Sequence, residues 1–439
     1  MGSLSVPKLP KLPQLLKEQY PKITEQQYLL GLRGVFVIEA FLWVFLQVFA
    51  PAAVKDANNH RGPHYQVMFR KTLSVLFWNE TLIYSAIILI SARTICISFL
   101  RDSNKTNLAS ALFRRGLRLW FPAAVALAIV MLIFSQTGTS YIGHFQDHTH
   151  NSSFNSPYLI PNALAYFNSV FNIFWTVHKY NEQAASTAFP SQTLWILSVI
   201  YQQSYTIYIS MIIIPFTRNS WRVKAWILYI ITAWWVQSWA WYSITGLALA
   251  DMVMNMGFKE KARRGIPIWR SIRCPVWIPY SIIMAAGLIM QYLWVAWRPQ
   301  YENRELRIHT GEYYTGGLNN QYDINQPQAR DDNYLVLVGL FLFLETYDVL
   351  QWILSNRFFL YLGTRSLSYF FMQGIIIYTA GIKLFMHLNV EKHLSHPASN
   401  VVTLIVCLIT TVVGAEVFHR LIDYPSQLLA HKFFDWIQE

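Results

Sequence analysis

The chain has 439 residues, with 35 Lys and Arg against 23 Asp and Glu for a formal charge of +12, and it is 54% hydrophobic and 16% aromatic. Only 13% of residues are charged, about half the share usual in a soluble globular domain, which excludes a soluble domain, a disordered chain and a coiled coil. Cys96, Cys274 and Cys407 are too few and too scattered for a disulfide scaffold. The composition predicts an all-α, polytopic transmembrane helical bundle.

Residues 1–27 form a Pro/Lys-rich tail without the apolar stretch of a cleaved signal peptide. Apolar runs of roughly 20 residues then recur, each long enough to cross a hydrocarbon core about 30 Å thick. Ten spans are predicted, at approximately 28–53, 73–100, 117–135, 193–216, 225–240, 241–257, 276–297, 334–353, 366–387 and 401–418. The apolar stretch 160–177 is interrupted by Pro161, Asn162, Asn168 and Asn172, and is predicted to lie at the interface or to re-enter. The transmembrane domain thus occupies 28–424, with long exoplasmic loops at 136–192 and 298–333 and a cytosolic tail at 425–439.

Orientation follows from the excess of Lys and Arg that cytosolic loops carry. With both termini in the cytosol, that side holds 22 of them, including Arg114, Arg115 and Arg118, and the opposite side ten. The positive charge therefore marks topology in a lipid bilayer, not a nucleic-acid partner. Of three Asn-x-Ser/Thr sequons, Asn79 falls in a span and Asn104 in the cytosol, which leaves Asn151 as the candidate glycosylation site.

An ionisable side chain at mid-bilayer costs some kcal/mol, so each is expected to face a cavity or a partner. Arg33 and Glu39 share the first span, Glu80 and Arg93 the second, and Asp251 lies deep in the sixth. Glu345 and Asp348, at i and i+3, are predicted to stack on one helix face. One of two carboxylates that close would hold a proton and act as a general acid. The same acids could instead hydrogen-bond neighbouring helices. Ten of the twelve histidines fall on the exoplasmic side, where His60 and His64 flank Arg61-Gly62-Pro63 beside the exit of the first span. Either could serve as a general base. No His or Cys spacing matches a metal motif, and no metal is predicted.

Several runs form an ordered series. Leu32-Arg33-Gly34-Val35 opens the first span, and Phe77-Trp78-Asn79-Glu80 is followed by Ile90-Ser91-Ala92-Arg93 in the second. Arg114-Arg115-Gly116-Leu117-Arg118-Leu119-Trp120-Phe121-Pro122 leads into the third, and Leu194-Trp195-Ile196-Leu197-Ser198-Val199 opens the fourth. Asp251 follows Leu247-Ala248-Leu249-Ala250, Leu362-Gly363 precedes Ser366-Leu367-Ser368-Tyr369 through Gln373-Gly374, and Asp423-Tyr424-Pro425-Ser426 closes the series. In this order they resemble the "LRG", "FxxG…FFxLSGR", "RRxxRLxxP", "LWTIPVE", "GxxLAD", "LGxISYxLYLxHGP" and "vDxPS" segments of the acyltransferase 3 family. Its members are membrane O-acyltransferases of about ten spans, and the last segment is similar to that of fungal members.

The resemblance implies transfer of an acyl group from acyl-CoA to a hydroxyl of a lipophilic or secondary-metabolite acceptor, in an endomembrane or plasma membrane of a fungus. Arg114, Arg115 and Arg118 would hold the donor phosphates. Trp43, Trp78, Trp195, Tyr201 and Gln373 would line the acceptor cavity, and Arg33 would steady the developing oxyanion. The arginines read equally as anchors beside anionic lipid, and the aromatics as helix packing and interface belts. Three positions depart from the pattern. The family's His eleven residues after the Arg of the first span is Val44 here, its "WTIPVE" Glu is Ile200, and its late "HG" His is Gln373. Without a base at Val44, the nearest candidates are Glu39, His60 and His64. Two alternatives keep the scaffold but change the task. One is an acid/base cyclase or isomerase of a natural-product intermediate using Glu39, Glu80, Glu345 or Asp348, and the other a non-enzymatic carrier.

Overall fold

The computed structural model describes residues 26–55, 62–176, 179–269, 272–309 and 326–438. The sole strands among them are a short hairpin, Ile266–Trp269 against Ile272–Cys274. Everything else regular is helical. The principal helices in chain order are α1 (Gln27–Phe49), α2 (Glu80–Ile95), α3 (Lys105–Thr137), α4 (Trp195–Ile212), α5 (Asn219–Trp235), α6 (Ala240–Asn255) and α7 (Trp277–Tyr292). They continue as α8 (Asp331–Thr346), α9 (Asp348–Leu354), α10 (Arg357–Thr364), α11 (Ser366–Ile376), α12 (His396–Phe418) and α13 (Tyr424–Gln438). Among the described residues seven helices are long and apolar enough to cross a membrane, or eight if the bent pair α8–α9 counts as one. The protein is a membrane-embedded helical bundle.

α1 stands at the centre, against α2, α9, α10 and α11. Its close contact with α9 and α10 depends on missing side chains. A Cβ on Gly31 would collide with the Leu354 carbonyl oxygen, and one on Gly34 with that of Phe359, the small-residue device by which membrane helices bring their backbones together.

Several predicted spans have different limits. α2 begins at Glu80 rather than near residue 73, because Asn79 caps it with Oδ1 accepting from the Leu82 N–H at 3.4 Å. α3 runs for 33 residues, about 50 Å at 1.5 Å per residue. α5 and α6 have 17 and 16 residues, about 24–26 Å each, short for spans. The apolar stretch from 160 supplies a 13-residue helix, Ala163–Trp175, capped by Asn162 and too short to cross alone. Its Leu164, Phe167, Phe171 and Trp175 are exposed on one face.

The eighth predicted span is broken, and with it the expected carboxylate stack. Tyr347 is extended, at φ −107° and ψ 118°, and α8 and α9 meet at 100°. Glu345 therefore points into the bundle, 1% exposed, while Asp348 turns to the surface and pairs with Lys259 and Arg263. Glu345 Oε1 lies 2.9 Å from Arg93 Nε, with both side chains fully buried, and Glu345 Oε2 accepts from the Tyr28 hydroxyl at 2.5 Å. One pair thus ties α1, α2 and α8. Asp251 is engaged likewise, by Arg222 at 3.0 Å and Asn255 at 2.7 Å, which joins α5 to α6. Asn151 is a further correction. It is 3% exposed and its Nδ2 donates to the Gln47 and Val48 carbonyls at 3.0 and 2.7 Å, so the folded chain has no room for a glycan there.

The described ends of the 298–333 loop are held by polar contacts too. Lys55 lies 3.4 Å from Glu302, and Arg330 lies 2.8 Å from Glu305 and 3.4 Å from Asp332. Burial, and then Asp332, push the Glu305 carboxyl up to about 8, so it carries its proton near neutrality. A folded state that holds this proton more tightly than the unfolded chain gains stability that is complete below the usual value of 4.5 and lost as pH rises through about 8. The unfolding temperature should fall across that window, and Glu305→Gln should flatten the profile.

Arg93→Leu or Glu345→Leu leaves one buried charge without its partner, at an expected cost of about 3–5 kcal/mol. The double substitution should recover most of it. Denaturant unfolding in detergent measures this, and single variants as stable as the parent would refute the role given to the pair.

Candidate functional site

At one end of the bundle α1, α2, α3, α4 and α11 surround a cavity of about 400 Å³, with α13 lying across its mouth, a volume typical of small-molecule sites. The wall has two halves. Arg33, Arg114, Arg115, Arg118 and His431 make the outer one, and Phe36, Ala40, Ile90, Ile200 and Phe370 the inner one. From Arg33 to Ala40 along α1 is a rise of about 10 Å, so the charge gives way to hydrocarbon within that depth.

No Asp or Glu contributes to the wall. The arginines have neutral partners instead. Arg33 donates to Thr94 Oγ1. Arg115 donates from Nε to Ser204 Oγ at 2.9 Å and from Nη2 to Ser91 Oγ at 2.7 Å. Arg114 donates from Nε to the Ser110 carbonyl at 3.1 Å, and its Nη1 lies 2.6 Å from His431 Nδ1. A guanidinium only donates, so the imidazole meets it as a neutral acceptor. Arg118 is open to the cavity and makes no hydrogen bond or ion pair among the described residues. Asp423 and Asp435, outside the wall, act on Arg118 and Arg114 from further off, but four like charges gathered in a half-buried space with so little counter-charge are costly. An anion removes that cost, and the planar fork of each guanidinium suits phosphate or carboxylate oxygens.

Of the residues singled out from sequence, Arg33, Arg114, Arg115, Arg118 and Gln373 meet in this wall. The aromatic candidates do not. Trp43, Tyr84, Trp195 and Trp239 pack ring to ring at 5.7, 5.3 and 6.1 Å, Tyr201 packs on Phe174 and Tyr205, and the Trp78 indole donates to the Ala53 carbonyl. They are core, and the neighbouring aliphatics Ile196, Leu197 and Ile200 take the wall.

Glu39 stands about 100° around α1 from Ala40 and is not part of the wall; its Oε2 is buried without a hydrogen-bond partner among the described residues. His64 is exposed at the start of the helix His64–Thr72, past the opposite end of α1, about 34 Å of helix away from the α1 start. His60 lies outside the described residues. Glu345 and Asp348 are engaged by Arg93 and by Lys259 and Arg263. Sequence reasoning missed His431, because α13 folds back on α3 from some 300 residues away, with Phe433 stacked on Phe113 at 5.7 Å. Its signal is the helical spacing of the buried Ala430 and Phe434 beside it. Among the described residues no three His, Cys, Asp or Glu side chains group as a metal site.

Compared with known proteins, the chain matches no family model, no curated protein and no solved structure.

Inorganic pyrophosphate titrated by calorimetry into the protein in nanodiscs should bind, more weakly at high salt. Arg115→Gln and Arg118→Gln should each weaken it roughly tenfold, the worth of one charge-assisted hydrogen bond. Unchanged affinity in both would end the assignment of an anion site.

Proposed function

We propose that the protein is an integral-membrane acyltransferase, which moves the acyl group of an acyl-CoA to a hydroxyl of a lipophilic, secondary-metabolite acceptor. The observation that carries this reading is a cavity with four arginines and no acid in its wall at one end and a hydrocarbon wall of aliphatic and phenyl side chains at the other. Phosphates of the donor would lie on the arginines, and its acyl end would reach the hydrocarbon half. The resemblance to acyltransferase 3 segments supports the reading, since Arg33, Arg114, Arg115, Arg118 and Gln373 come from three separate segments and line one space. The charge bias of the loops favours an orientation with the arginine end and both termini in the cytosol, where acyl-CoA is dissolved. A count of ten crossings then requires α5, α6 and the bent α8–α9 each to cross. A fungal endomembrane or plasma membrane belongs to the same reading.

In the reaction the acceptor oxygen adds to the thioester carbonyl, the C–S bond breaks, and the hydroxyl proton leaves with the sulfur as free CoA thiol. Arg33, the innermost arginine on α1, would steady the oxyanion.

One observation favours a second reading, a carrier for an anionic amphiphile. The imidazole in the wall, His431, already accepts from Arg114, and Glu39 lies outside the wall. Thiol release decides between the two. The protein in nanodiscs, given acyl-CoA and a lipid extract, should release free thiol, and Arg115→Gln should lower kcat/KM about tenfold through KM, one charge-assisted contact. Absence of thiol, together with passage of an unmodified alkyl phosphate across proteoliposomes, would replace the enzyme with the carrier.

A further inference from the structure

Gln373 sits on α11 seven residues beyond Ser366, about 10 Å deeper along the wall, and is 2% exposed. Its Oε1 is buried and accepts no hydrogen bond among the described residues. A carbonyl oxygen left without a donor in an apolar wall costs the equivalent of roughly tenfold in a binding constant.

The backbone beside it is unusual in the same place. Ser191 and Gln192, neither of them glycine, hold left-handed φ values of 67° and 53°. A Cβ on Gly374 would come within 2.9 Å of the Pro190 carbonyl oxygen and 3.0 Å of Ser191 Oγ. The strained turn before α4 is thus pressed onto α11 next to Gln373, and the Ile196 and Leu197 that follow it form the facing wall. Strain of this kind persists where a site requires a fixed geometry.

We infer that Gln373 Oε1 is the specificity contact of the cavity, accepting a hydrogen bond from a hydroxyl on a ligand whose anionic end rests on the arginines. The amide oxygen has lone pairs only, so Oε1 takes an O–H and offers nothing to a carbonyl or an ether, which Nε2 alone could meet. Sites built to hold a hydroxyl reject analogues that lack it far more sharply than apolar pockets reject a methylene. The inference rests on the acyl-transfer reading, in which that hydroxyl is the acyl acceptor's; donor and acceptor then share one cavity, and Gln373 positions the attacking oxygen.

A series of alkyl phosphates of increasing chain length, with ω-methyl, ω-hydroxyl, ω-methoxy and ω-oxo ends, tests this by calorimetry on the full chain in nanodiscs. At the length that reaches Gln373 the ω-hydroxyl probe should bind about tenfold tighter than the ω-methyl one. Gln373→Leu should erase that preference and keep the affinity for the plain alkyl phosphate, and Gln373→Met serves if the leucine variant folds poorly. Three results would overturn the inference: no hydroxyl preference at any length, a preference for the ω-oxo probe, or a preference that survives in the variant. Failure of every phosphate to bind would instead remove the anion site, and this contact with it.

Discussion

The bundle is organised by how its few acids are shared among its many cations. Glu345 belongs to Arg93, Asp251 to Arg222, Glu416 to Arg365 at 2.5 Å, and Asp332 to Arg330. The Glu345 and Glu416 pairs join helices 252 and 51 residues apart in sequence, and together the pairs leave the cavity arginines with hydroxyls, a carbonyl and an imidazole. The division is sharpest on α2, where Arg93 faces Glu345 and its neighbour Thr94 receives Arg33. One side of the helix is neutralised and the next is not. A buried pair is weak as a source of stability, but here it decides which cations remain for a ligand.

Much of this was legible in the sequence, in unequal measure. Composition and hydropathy fix a helical membrane protein, because every backbone polar group in lipid needs an internal partner. Arg33, Arg114, Arg115, Arg118 and Gln373 were readable because each stands in an apolar or amphipathic run that gives it no other business. Hydropathy reports length and not phase, however. It cannot separate Trp195 from Ile196, one turned to the core and the other to the cavity, nor show that Glu39 looks away from the face that Arg33 and Ala40 share. The break at Tyr347 carries no Pro or Gly, so nothing local announces it, and the i, i+3 spacing of Glu345 and Asp348 misleads. His431 is a long-range effect of tertiary packing, as is the burial of Asn151 against α1.

Val44 is where the chain departs most plainly from the segments it resembles. It is completely buried in the hydrophobic core, so the place where an imidazole would be expected from the resemblance is closed to solvent. Around the cavity the polar groups are the arginines and His431 at one end and Gln373 deeper in. Of the acids suggested by sequence as alternatives, Glu345 and Asp348 are helix fasteners and Glu39 is a buried carboxyl on another face.

The sharp bend after α8 also sets the protein's height in its surroundings. α9 turns Leu350 and Leu354 onto the core and leaves Val349, Trp352 and Ile353 outward. A short segment with apolar groups on its outer side and a tryptophan among them settles at the headgroup boundary. It abuts α1 at Gly31, within one turn of Arg33. The arginine end of the cavity is therefore tied, through Gly31 and Leu354, to the segment that rests at the headgroup boundary.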